Sequence, residues 1–427
     1  MNGAPVPAAD AAAADRDPIF TPLRFRSLTV KNRIFRSSIA GRFDAEDGSL
    51  SQTRINWECR FAKGGVGAII SSYVPVAIEG RIIAGYATIH RDDFIPLWAK
   101  LGEAVHRFDC KFILQLSHSG RQMDLPGITN QARPAPSATS NKETLHGFLC
   151  RAMSHGEIQQ LIETFARAAW RAREAGLDGV ELHSSNGYLF TQFLSSAIND
   201  RTDCYGGSLT NRARFLLDVL GAIRARVGRD FHVGVKLGAV DMNDVVPWEG
   251  KGNTLSDAIQ IARWCEAAGA DHIHVSTGSL FPHPLNPPGD LSLETLAVTY
   301  DAMISSGVYG FRNFLLFRYP MLRPIFRWLW FRMKRGRPVE GVSTDHARAI
   351  RAAVSIPVIC TGGYQHADVV RAGLASGAFD GVAIARSLIA NPDLPEHWRR
   401  RTMPEAPCTY CNRCLVNAPK NPLGCYE

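Results

Sequence analysis

Along the chain, short runs of β-branched and apolar residues alternate with longer stretches in which apolar positions recur every three or four residues. A brief, continuous apolar run suits a strand buried on both faces. The longer period suits a helix with one buried stripe, so the alternation predicts βα units around a parallel sheet. The repeat occurs eight times, with strands expected near Asn32–Ser38, Val66–Ser72, Lys111–Leu116, Gly179–His183, His232–Leu237, His272–Ser276, Pro357–Thr361 and Gly381–Ala385. The best-marked helix follows Ser154, which forms a capping box with Glu157, and Ile158, Leu161, Ile162, Phe165 and Ala169 then make one apolar stripe. Eight such units predict an α/β fold, a (β/α)8 TIM barrel, over residues 18–400.

With 427 residues, 45% of them hydrophobic, the chain can bury one large core. Residues 1–17 are mostly Ala, Pro, Asp and Gly without the apolar run of a signal sequence, which predicts a disordered tail and a cytoplasmic protein. The formal charge of +8 is not spread evenly. From Ala302 to Val339 there are eight basic residues (Arg312, Arg318, Arg323, Arg327, Arg332, Lys334, Arg335, Arg337) and no acidic one, so the rest of the chain is balanced. One segment thus accounts for the imbalance, and no nucleic-acid-binding motif accompanies it.

That segment belongs to an insertion at about 283–340 that breaks the repeat, as does Leu125–Ala152. Insertions on βα loops lie beside the active face of a barrel, so both are expected to shape the pocket. Within 309–337, aromatic and aliphatic residues interleave with arginines, and no uncharged run approaches the roughly 18 residues needed to span a bilayer. Two readings stay open: a helical lid with arginines at its rim, or a peripheral segment resting on anionic lipid and admitting a lipophilic substrate.

In barrel enzymes the chemistry sits at the C-terminal ends of the strands. Here those ends offer Ser37–Ser38, Ser72–Tyr73, Gln115, His183, Lys236, Ser276, Thr361–Gly362–Gly363 and Ala385–Arg386. No carboxylate is among them, which counts against a divalent-metal hydrolase. An amide, a cation and two small turns suit an organic anion. Gly362–Gly363 and Ala385–Arg386 each open a helix, where free N–H groups could cradle a phosphate; ordinary glycine turns are the plainer reading.

The segment Gly176–Leu217 is more specific. His183, Asn186 and Tyr188 at the end of the fourth strand precede Asn199–Asp200–Arg201–Thr202–Asp203, Tyr205–Gly206–Gly207–Ser208 and Asn211–Arg212. This pattern resembles the old yellow enzyme family. Leu28–Ser38, Leu114–Gln122 and Gly381–Pro395 resemble its first strand, third strand and phosphate end, so the resemblance covers Phe20 to Trp398.

The resemblance implies bound FMN, reduced by NADH or NADPH, that passes hydride to an α,β-unsaturated carbonyl substrate. His183 and Asn186 would bind the carbonyl oxygen and Tyr188 would protonate the α-carbon. Ser37, Ser38, Ile39, Ala40, Tyr73, Gln115, Lys236, Gly362, Gly363, Ala385 and Arg386 would contact the flavin. Two positions depart from the family pattern: Ala40 has no side-chain hydrogen bond to give, and Lys236 stands where Arg is commoner. An oxidative demethylase or dehydrogenase on the same barrel, or a membrane-surface electron carrier, is the alternative.

Six of the ten cysteines are scattered, whereas Cys408, Cys411, Cys414 and Cys425 crowd the tail 401–427. Four thiols at short spacing suit a [4Fe–4S] cluster, as in the larger 2,4-dienoyl-CoA reductase-like relatives, or tetrahedral zinc, or remain unmetallated.

Overall fold

Eight parallel strands close into a barrel in the computed structural model, which describes residues 17–427 apart from 124–132, 145, 242–251, 279–285, 302, 305–307 and 335. The strands are β1 (Ile34–Arg36), β2 (Ala68–Ile70), β3 (Lys111–Ser117), β4 (Gly179–Ser184), β5 (His232–Gly238), β6 (His272–Ser276), β7 (Val358–Thr361) and β8 (Gly381–Ile384). Each pairs in parallel with its sequence neighbours, and β8 pairs with β1 to close the ring. All eight fall within a residue or two of the positions expected from periodicity, because buried parallel strands are written as continuous apolar runs.

Helices α1 (Gln52–Lys63), α2 (Ile95–His106), α3 (His155–Glu174), α4 (Leu209–Val227) and α5 (Leu255–Ala267) cover the barrel. The capping box at Ser154 and Glu157 forms as expected, and Ile158, Phe165 and Ala169 of α3 are fully buried. A hairpin, Leu23–Arg24 with Thr29–Val30, plugs the N-terminal mouth, where Phe25 packs edge-on against His232. One end of the barrel is therefore sealed and chemistry is confined to the other.

The tail expected over 1–17 lies outside the described residues except for Asp17. This residue caps the first helical turn and pairs with Arg371 at 2.7 Å. Residues 124–132 of the first insertion and Arg335 of the basic segment also lie outside them.

After β6 the insertion forms α6 (Leu293–Asp301), α7 (Val308–Arg318) and α8 (Arg323–Lys334). Leu291, Leu296, Tyr300, Met303 and Trp330 make a small core of their own beneath these helices. The first insertion meets it there: His146 stacks on Phe148 at 5.0 Å, and its carbonyl accepts from the N–H groups of Tyr309 and Gly310. Cys414 and Leu423 of the Cys-rich tail 401–427 join the main core. The tail therefore folds back onto the open mouth.

Candidate active site

Two cavities of about 120 and 220 Å³ lie at the C-terminal mouth and share walls formed by Ser38, Ile39, Asn186, Lys236, Pro287 and Leu415. The smaller is bounded by the turns after β7 and β8, including Gly362, Gly363, Ala385 and Arg386, and by Ser37. Into the larger project Ala40, Tyr73, His183 and Tyr188, and its outer side is closed by Tyr300, Trp330 and the tail. The predicted catalytic and flavin-contacting residues converge there, with one exception.

That exception is Gln115. It is fully buried, its carbonyl oxygen accepts from Ser38 Oγ at 2.6 Å and its amide donates to Glu181 Oε1 at 2.7 Å. Gln115 lines neither cavity and reaches them only through Ser38. The reason is Glu181, a carboxylate inside the barrel that must be fully hydrogen-bonded there. Its other oxygen faces His272 Nε2 at 3.1 Å and His274 Nδ1 at 2.9 Å, and His274 Nε2 lies 2.5 Å from Thr361 Oγ1. Burial opposes ionisation, yet the charge and hydrogen bonds of His274 and His272 hold the carboxyl well below its usual range. The strand-end survey missed this group because it lies mid-strand. Its inward face could have been read from the two-residue period that it shares with His183.

His183 is buried, and that burial, then the charge of Lys236, pushes its imidazole well below the ordinary value, so the ring is neutral at neutral pH. Ser185 Oγ lies 3.4 Å from Nδ1. With the hydroxyl donating there, the ring proton sits on Nε2. Asn186 occupies the left-handed region at φ 62°, and its Oδ1 accepts from Asn286 Nδ2 at 3.1 Å. With the carbonyl engaged, the amide N–H groups of Asn186 remain to donate. Asn286 came from the insertion loop, where no motif marked it.

Tyr188 packs against Tyr73 and His183, with ring centroids 5.1 and 5.0 Å apart. Tyr73 has committed its hydroxyl to the carbonyl of Gly80 at 2.7 Å, whereas the Tyr188 hydroxyl bonds to no described residue. Burial raises the Tyr188 phenol far above its usual range, so it stays protonated. A buried acid in this state can give a proton and is not lost to solvent titration.

Two cations line the smaller cavity. Lys236 is buried, its ammonium is depressed by that burial against the opposing charge of Glu181, and no described carboxylate forms an ion pair with it. Arg386 is also buried and among the described residues bonds only to neutral acceptors, the Pro288 carbonyl and Asn412 Oδ1 at 2.6 Å, while its guanidinium stacks over Tyr410. Tyr410 in turn donates to the carbonyl of Gly363 at 2.7 Å. Gly363 holds φ 71°, and a Cβ there would come within 2.5 Å of the Val339 carbonyl. Burying two positive charges without carboxylate partners is costly unless an anion joins them. A phosphate-bearing flavin, anionic again when reduced, has the charge this cavity lacks.

The tail thiols are free. A single tetrahedral zinc would draw its sulfurs to within about 4 Å of one another, and no such group of metal-binding side chains exists among the described residues. Neither the zinc nor the iron–sulfur expectation is shown by this arrangement. Burial pushes the thiol of Cys414 up to about 12 against the nearby positive charge of Arg386.

A (β/α)8 barrel with a buried phenol, a neutral imidazole, an amide and two buried cations at one mouth has the chemistry to hold an anionic redox cofactor. Residues 18–289 match the model of the NADH:flavin oxidoreductase / NADH oxidase family. NADH oxidase of Thermoanaerobacter brockii is 32% identical over 426 residues, 96% of this chain and 57% of that protein. NADPH dehydrogenase of Halalkalibacterium halodurans is 34% identical over 68% of this chain and 82% of its own length. A solved 2-naphthoyl-CoA reductase complex superposes with a TM-score of 0.78 at 24% identity, covering 96% of this chain and 56% of that one, which carries the fold. The chain belongs to the NADH:flavin oxidoreductase / NADH oxidase family, that of the old yellow enzymes its strand-four signature resembles. It spans little more than half the length of the Thermoanaerobacter protein.

Proposed function

We propose that the protein is an FMN-dependent NAD(P)H oxidoreductase that reduces the C=C bond of bulky, lipophilic α,β-unsaturated carbonyl or enoyl compounds. The observation that carries this reading is the pair of buried cations without carboxylate partners beside a free, protonated Tyr188. Bound FMN supplies hydride chemistry, taking it from NAD(P)H and giving it to the substrate β-carbon. The neutral His183 and the Asn186 amide donate to the carbonyl oxygen, where negative charge grows as the double bond is attacked. Tyr188 delivers its proton to the α-carbon. Lys236 and Arg386 neutralise the charged ends of the cofactor. Leu291, Leu296, Met303 and Trp330 give the substrate an apolar outer wall and keep water out.

The accompanying reading of the tail is an iron–sulfur cluster on Cys408, Cys411, Cys414 and Cys425, supported by four thiol donors at short spacing in the sequence. Iron and acid-labile sulfide in anaerobically purified protein test it, and four titratable thiols without metal end it.

The main test separates the two half-reactions. In Tyr188→Phe, reduction of cyclohexenone or an enoyl thioester should fall roughly 10²- to 10⁴-fold, the usual worth of a positioned proton donor, with flavin reduction by NAD(P)H unchanged. Equal loss in both would remove Tyr188 from its role. Flavin reduction by a saturated or methylated substrate in place of NAD(P)H would favour the dehydrogenase alternative.

A further inference from the structure

The lid helices have two unlike faces. Inward, Trp330 is buried with its Nε1 donating to the Gly289 carbonyl at 3.1 Å, and Phe314, Phe317 and Phe326 pack with it over the cavity. Outward, large apolar side chains stand in water: Phe311 at 51% exposed, Met321 at 79%, Ile325 at 54%, Trp328 at 56% and Phe331 at 60%. On α8, Ile325, Trp328 and Leu329 follow helical spacing, so they form one stripe rather than scattered exposures. Single exposed apolar residues are ordinary on a protein surface; a clustered set of this size marks a contact.

The charge around the stripe says what it contacts. Arg318 pairs with Asp301 and Arg327 with Glu294, both acids on α6, with Arg323 3.9 Å from the same Glu294. Arg312, Arg332 and Lys334 have no carboxylate partner among the described residues: Arg312 lies over Tyr309, Arg332 over Trp328, and Lys334 donates to the Gly289 carbonyl. No acidic residue occurs anywhere on α7 or α8. No helix among the described residues is long and apolar enough to cross a bilayer. Exposed Trp, Phe and Ile flanked by unpaired Arg and Lys complement a negatively charged headgroup layer over an acyl interior.

We propose that α7 and α8 seat the protein on an anionic lipid bilayer, with Phe311, Met321, Ile325, Trp328 and Phe331 in the headgroup–acyl boundary. Trp330 on the inner face of α8 lines the larger cavity, so a lipophilic substrate could pass from the bilayer beneath the lid. That consequence rests on the substrate reading above, whereas the seating itself does not.

The test is flotation of the full chain with vesicles of phosphatidylcholine alone or with roughly a third phosphatidylglycerol. The protein should float with the anionic vesicles and much less with neutral ones, and added salt should weaken binding. The triple variant Ile325→Ser, Trp328→Ser, Phe331→Ser should bind at least about tenfold more weakly, because each side chain transferred from water to lipid contributes on that scale. Arg332→Glu with Arg337→Glu should lose the preference for anionic lipid, and Val369→Ser, an exposed apolar site elsewhere, should change nothing. Unaltered thermal melts would show that the variants fold. Absence of flotation, or equal flotation of the triple variant, overturns the proposal. So does a lipid-free wild-type dimer that the triple variant makes monomeric, since a second copy would then cover the stripe.

Discussion

Replacing Lys236 by Met tests the cationic cavity most directly, because the protein without its cofactor and the loaded protein should respond in opposite directions. Lys236 is buried on β5, its ammonium is depressed below its usual 10.5 by desolvation, and no described carboxylate forms an ion pair with it. Methionine has a similar length and no charge to desolvate. By analogy with buried charges exchanged for apolar residues, Lys236→Met should stabilise the cofactor-free protein by about 1–4 kcal/mol, on the order of 1–4 °C in melting temperature for a chain of this length. The pH dependence follows the same logic. In the unfolded chain the amine keeps its proton up to about 10.5, while in the folded protein it loses it earlier, so between the two values the unfolded state binds more protons. The stability of the cofactor-free wild type should therefore rise with pH across that window, and the variant should lack this rise. In the loaded protein a charge-assisted contact worth about 1.5–3 kcal/mol disappears, weakening FMN binding roughly 10- to 150-fold. Calorimetric melts of stripped protein at several pH values, with fluorescence titration of FMN, measure both. A variant that is less stable when stripped, or that retains FMN as tightly as wild type, would refute the argument.

Two further perturbations address the groups behind the site. Glu181→Leu removes the acceptor shared by Gln115, His272 and His274 and should cost about 3–5 kcal/mol in chemical denaturation. Because the Glu181 carboxyl is held well below its ordinary 4.5, its contribution is complete above that value and is lost as acid titrates it, so the variant should show a flatter stability profile below pH 4.5; the same acid sensitivity in both proteins would count against it. Asn286→Ala frees the Asn186 amide to rotate and should lower kcat/KM for an enone about three- to tenfold. Flavin reduction by NAD(P)H should not change, and a loss there instead would make Asn286 merely structural.

Much of the fold was legible from local pattern. The eight strands appear as apolar runs, the α3 start is written in Ser154 and Glu157, and His183, Asn186 and Tyr188 lie close enough in sequence to be recognised as one unit. These features depend on residues a few positions apart, whose relative placement is dictated by strand and helix geometry.

What the tertiary structure decided depends on barrel closure and helix rotation. Gln115 bonds Glu181, 66 residues away, and His272 and His274 reach the same carboxylate across more than 90 residues. Asn286 orients Asn186 from 100 positions downstream, and Asn412 of the tail meets Arg386. The lid divides in the same way: its composition is plain in the sequence, yet Trp330 is buried over the cavity while Trp328, two residues earlier, stands exposed. Residue types determined by themselves what each group could do. Which group met which had to wait for the ring of strands to close, because a buried charge takes its partners from whichever elements packing brings beside it.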